Sequence, residues 1–143
     1  MRLPPPVRSR FIHWRAPIGV LPLLALGMAE VALAGPALHC RLTAGGQIHD
    51  LVATPVADPY GVKAVPVGDS FRFRAVVVGD ERQVDYVKLY AYRLRGKSTV
   101  LLHQATFRAP SLGTPSLTGE QTVVEPELER ELRYTCALAE RGP

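Results

Sequence analysis

The chain has 143 residues, 47% of them apolar, with 17 Lys and Arg against 13 Asp and Glu. Residues 1–34 hold four of those cations and a single acid, so residues 35–143 carry 13 basic and 12 acidic side chains. That near-neutral balance removes the electrostatic footprint of a nucleic-acid binder, and the precursor's basic character belongs to its first segment.

The first segment has three parts. Arg2, Arg8, Arg10 and Arg15 make a basic start with no acid among them, and Ala16–Ala29 is wholly apolar. Glu30 then breaks the run, and Ala32-Leu33-Ala34 supplies a small-x-small pattern. A positive start, a short apolar stretch and an A-x-A site are the parts of a secretory signal. Cleavage is expected after Ala34, which leaves residues 35–143 as one domain. A spanning helix would need about 20 consecutive apolar residues. Glu30 interrupts the stretch, and Pro17 and Pro22 weaken it as a helix, so no membrane span is expected after cleavage. Cys40 follows His39, which lacks the small residue that precedes a lipidated cysteine. Arg8-Ser9-Arg10 lacks an adjacent arginine pair. Export in the unfolded state, to the periplasm or the medium, is the reading.

Cys40 and Cys136 lie near the two ends of the expected domain. An even cysteine count in an exported chain reads as a structural disulfide. Closing a loop of about 100 residues removes about 4.7 kcal/mol of chain entropy from the unfolded state.

Between the cysteines, short alternating runs predict strands. The expected strands are 37–43, 48–54, 70–78, 84–94, 99–107, 121–124 and 132–138. Pro55–Gly68 reads as a loop with its clearest turn at Asp58-Pro59-Tyr60-Gly61, and Ala109–Glu120 as a long loop, mobile or ligand-binding. In the fourth strand Val87, Leu89 and Ala91 share one face, while Tyr86, Lys88, Tyr90 and Tyr92 share the other. The apolar trio is expected inside. In the fifth, Leu101, Ala105, Phe107 and His103 are expected on one face. Glu127–Arg133 reads as a turn leading into the last strand, with a single helical turn as the alternative. Seven strands at these spacings predict an all-β fold, a two-sheet antiparallel sandwich.

Tyr134-Thr135-Cys136 resembles the Tyr-x-Cys element of immunoglobulin-like domains. The resemblance implies an Ig-like sandwich of about seven strands. It also implies an inter-sheet disulfide and a tyrosine hydroxyl tied to the backbone of a corner. It implies no ligand.

Catalytic and metal motifs are missing from the sequence. His39, His49 and His103 have no close i, i+2 spacing with one another or with the cysteines, and His39 and Cys40 face opposite ways on a strand. The same alternation parts His49 from Asp50, so they form no dyad. No metal or other cofactor is expected, and the protein is read as non-enzymatic. The candidate binding face is Tyr86, Lys88, Tyr90 and Tyr92, with Arg93 beside them. Arg72 and Arg74 of the preceding strand would join it if the two strands pair as a hairpin. Tyrosine offers wide contact with few rotors and a polar tip, so the expected partner is another exported or envelope protein, or a glycan. The alternatives are a subunit or chaperone-like sandwich that assembles by strand addition, and a small hydrolase or metal carrier using the histidines.

Overall fold

The computed structural model describes residues 35–141; the expected signal lies outside them. About two thirds of this span is strand. In chain order these are β1 (Pro36–Ala44), β2 (Gln47–Ala53), β3 (Val65–Val67), β4 (Phe71–Gly79), β5 (Val84–Arg95), β6 (Ser98–Arg108), β7 (Gln121–Glu125) and β8 (Arg130–Glu140). They form two four-stranded antiparallel sheets, ordered β2-β1-β8-β7 (sheet A) and β3-β4-β5-β6 (sheet B). The expected two-sheet sandwich is what forms.

The eighth strand, β3, falls in the stretch expected to be loop. Pro66 disguised it, since proline cannot donate to a ladder and inside strands is confined to edges, first positions and bulges. Here β3 is an edge strand, paired on one side through Val65–Phe73 and Val67–Phe71. The expected turn ahead of it is a single 3₁₀ turn at Pro59–Gly61, where the Asp58 carboxylate accepts from the Tyr60 backbone N–H. The segment between the final pair of strands follows the preferred reading, a turn and then β8.

Strand order follows the chain around the sandwich. Every paired neighbour is consecutive in sequence except β1 and β8, whose pairing closes the circle. The chain crosses between sheets at β2–β3 and again at β6–β7. Antibody-type sandwiches instead interleave their strands by Greek-key connections.

The core follows from alternation. Even-numbered residues of β1 and β8 point inward (Leu38, Leu42, Leu132 and Leu138 are fully buried), and odd-numbered residues of β4 and β5 meet them from the facing sheet (Phe71, Phe73, Val87 and Leu89). Cys40 and Cys136 both lie on the inward face and stand directly opposite each other in the β1–β8 register. They form a disulfide with Cα atoms 4.1 Å apart. The bridge therefore joins neighbouring strands of one sheet, and the inter-sheet bridge implied by the immunoglobulin resemblance is corrected. β1 and β8 already pair from Pro36–Glu140 to Ala44–Leu132, which brings the two sulfurs together within the ladder.

Two bulges redirect side chains. On β6 the register passes from Ala91–His103 to Tyr92–Leu101, leaving Leu102 without an opposite partner. One extra residue inverts the in–out pattern beyond it. Leu101 consequently leaves the face it was expected to share with His103, Ala105 and Phe107, and is 49% exposed. The second bulge lies at Val78–Gly79, where Gly79 takes φ +152°. A Cβ there would stand 2.2 Å from the Gln83 carbonyl oxygen, so this close approach requires glycine. The turn that follows is held by Asp80, whose Oδ1 accepts from the backbone N–H groups of Arg82 and Gln83. Those two bonds hold the Asp80 carboxyl below its ordinary value.

The long 109–120 loop is tied along β8. Gly113 N donates to the Leu138 carbonyl at 3.1 Å, Leu117 N donates to the Cys136 carbonyl at 2.8 Å, and Cys136 N donates to Thr118 Oγ1 at 2.9 Å. The loop thus occupies the side of β8 that β7 is too short to reach, which satisfies backbone groups that a bare sheet edge would leave open.

Candidate functional site: the outer face of sheet B

β4 and β5 pair as an antiparallel hairpin, and their register sets Arg72 opposite Tyr92 and Arg74 opposite Tyr90. Val87, Leu89 and Ala91 are fully buried, so Tyr86, Lys88, Tyr90 and Tyr92 fall on the outer face, where each is half-buried. The Arg74 guanidinium lies over the Tyr90 ring, 4.3 Å from its centroid. Tyr90 and Tyr92 stack at 6.2 Å with an interplanar angle of 15°. The Lys88 ammonium stands 5.3 Å from the Tyr86 centroid. A cation over an aromatic face is drawn by the ring quadrupole, about 0.5–1 kcal/mol at exposed positions. The Arg74 Nε is buried and has no hydrogen-bond partner among the described residues.

Arg108 of β6 also belongs to this face, opposite Tyr86. Alternation from Phe107 turns it outward, and only the β5–β6 register shows that it meets Tyr86. Arg93, in contrast, does not belong. It follows the inward parity of Ala91, sits opposite Phe71, and reaches between the sheets to Glu125 of β7 at 2.5 Å and to Glu127 at 2.6 Å. Glu125 is 1% exposed and also accepts from the backbone N–H of Leu128 at 2.7 Å and of Glu127 at 3.2 Å. These bonds raise the Arg93 pKa, the Glu127 contact foremost, and the same contact lowers that of Glu127. Arg93 is a structural clasp between the sheets.

The three histidines lie apart. His39 is exposed on the outer side of sheet A, while its neighbour Cys40 is buried. The Nε2 of His49 accepts from the Gly68 backbone N–H at 3.3 Å, which places the imidazole proton on Nδ1. Asp50 turns outward to Arg41 at 3.1 Å. His103 Nε2 lies 2.8 Å from the hydroxyl of Tyr134, which is 1% exposed and packs against Phe73 with ring centroids 5.0 Å apart. Burial pushes the Tyr134 pKa up to about 12. The immunoglobulin-like element is corrected here too, since its tyrosine hydroxyl meets an imidazole of the opposite sheet instead of a corner's backbone. Among the described residues no three His, Cys, Asp or Glu side chains gather as metal ligands, and no helix is long and apolar enough to cross a membrane.

A separate cavity of about 440 Å³ opens where the β1–β2, β3–β4 and β7–β8 turns converge, lined in part by Gln47, Asp69, Ser70, Arg130 and Arg133. Its two arginines each have a partner: Arg130 donates to the Ser70 hydroxyl, and Arg133 pairs with Glu131 at 3.3 Å. Among the described residues, the cations on the outer face of sheet B form no ion pair. What that face offers chemically is hydrogen-bond donors and positive charge on a rigid sheet. Comparison with protein-family models, with curated proteins and with solved structures returns no match for this chain.

Proposed function

We propose that this protein is an exported, non-enzymatic binding module of the periplasm or extracellular space. Its contact surface is the Tyr86, Lys88, Tyr90 and Tyr92 face with Arg72 and Arg74, and its partner is another exported or envelope protein, or a glycan. The observation that carries this reading is the ladder of rings and guanidinium groups on β4 and β5. A cation lies over one ring and two rings stack. The signal-like N-terminus and the single disulfide support export. A two-sheet sandwich is also the scaffold on which immunoglobulin-like domains carry recognition surfaces, although sandwiches as a class host many functions. The test is recovery of partners with wild type and with Tyr86→Ala/Tyr90→Ala. Loss of a partner in the double variant supports the face, and an unchanged set of partners removes it.

A second reading is assembly by strand addition, favoured by β6. This eleven-residue strand ends sheet B, and it carries no Asp, Glu, Lys or Arg before Arg108. Long uncharged edges invite pairing. Light scattering separates the two readings, since a strict monomer counts against self-assembly.

A further inference from the structure

The outer face of sheet B is cationic in a domain close to neutral. Register gathers Arg72 and Arg74 of β4, Lys88 of β5 and Arg108 of β6 around the three tyrosines, and the remaining outward positions paired with them are aliphatic, amide or hydroxyl residues. No acidic side chain is paired among them. Within the described residues none of these four cations forms an ion pair, whereas Arg41, Arg93 and Arg133 each have an acidic partner. Attraction for an anionic ligand is the direct consequence.

The ring geometry narrows the ligand. Tyr90 carries Arg74 over its ring and stacks with Tyr92, and Tyr86 has Lys88 beside it. A nucleobase or pyranose seeking to stack on Tyr90 would displace a cation or part the ring pair. The groups left for a partner are N–H donors, ammonium charge and phenolic hydroxyls, which suit carboxylate oxygens. Spacing narrows it further. Outward side chains on one strand recur about every 6.6 Å, the same repeat as alternate side chains of any extended peptide. Arg72 and Arg74 therefore match carboxylates placed at alternate residues.

We propose that this face binds an extended acidic segment of another protein, with alternate carboxylates seated on Arg72 and Arg74. The proposal rests on the reading of this face as the contact surface, and it adds the chemistry of the partner.

The test uses a synthetic peptide alternating Glu and Thr, its Gln/Thr counterpart, polygalacturonate and an oligothymidylate, each titrated against the domain. The Glu/Thr peptide is expected to bind, more weakly as salt is added, and the Gln/Thr peptide is not. Arg72→Gln/Arg74→Gln should weaken binding about tenfold, as expected for loss of charge-assisted hydrogen bonds. Arg41→Gln, on the opposite sheet, should leave it unchanged. Where the double variant melts early, the single Arg72→Gln carries the comparison. Equal binding of the two peptides, or affinity indifferent to Arg72 and Arg74, overturns the proposal. Binding of polygalacturonate or the oligonucleotide that depends on Arg72 and Arg74, with none of the acidic peptide, also overturns the acidic-protein assignment while sparing the contact face.

Discussion

Arg93 of β5 and Glu125 of β7 form an ion pair across the two sheets, their side chains 12% and 1% exposed. The pair spans the side of the sandwich where the chain passes from β6 in one sheet to β7 in the other. Glu125 also holds the β7–β8 turn through two backbone N–H groups, so one carboxylate fixes both a turn and a sheet-to-sheet distance. Arg93→Met would leave that carboxylate buried without its cation. A clear loss of stability is expected in chemical denaturation, since breaking a buried pair costs more than the pair contributes. Arg93→Met/Glu125→Leu should recover part of the loss, because it removes the uncompensated charge as well.

The disulfide joins residues that are already direct partners in the β1–β8 ladder. Its stabilisation comes mainly from the unfolded chain, whose ends it holds together. Cys40→Ala/Cys136→Ala is expected to lower stability by roughly 2–5 kcal/mol while leaving the far-ultraviolet spectrum of the folded protein intact. Thiol titration of the untreated, denatured protein should find no free thiols.

Tyr134 gives a pH signature. Its folded pKa is raised to about 12 from 10.0 by burial, so the folded state holds its proton longer than the unfolded state does. That contribution is fully present below the unfolded value and is lost as pH rises through about 12. Denaturation midpoints measured from neutral to strongly alkaline pH should therefore fall for wild type. Tyr134→Phe should fall less steeply. At neutral pH the same substitution should cost about 1 kcal/mol, because it removes the hydrogen bond between the half-buried His103 and the Tyr134 hydroxyl.

Much of the scaffold was legible because alternation is a local signal. The expected strands match seven of the eight in place, and the inward trio Val87, Leu89 and Ala91 settles which way the tyrosines point. What was not legible depends on partners far away in the chain. Arg93 shares the odd parity of Val87, Leu89 and Ala91, so alternation alone turns it inward, but only Glu125 shows what a cation finds there. His103 and Tyr134 come from different sheets. Leu101 was misplaced because one bulged residue inverts the faces beyond it, and a bulge leaves no pattern in the β6 sequence. β3 was missed since Pro66 reads as a breaker, yet an edge strand tolerates it. The immunoglobulin resemblance located the disulfide-bearing strand but not the bond's partner sheet, because β1 and β8 pair directly. Of the candidate face, the β5 ladder was visible at once. Arg72 and Arg74 depended on hairpin pairing, and Arg108 on the β6 register.

The central claim is that partners meet the outer face of sheet B. Site-specific photo-crosslinking in producing cells tests it directly, with benzoylphenylalanine placed at Tyr90 or, on the opposite sheet, at Val52, which is 57% exposed. The account predicts a discrete adduct from the Tyr90 position and none from Val52. Adducts from Val52 with none from Tyr90 would contradict it.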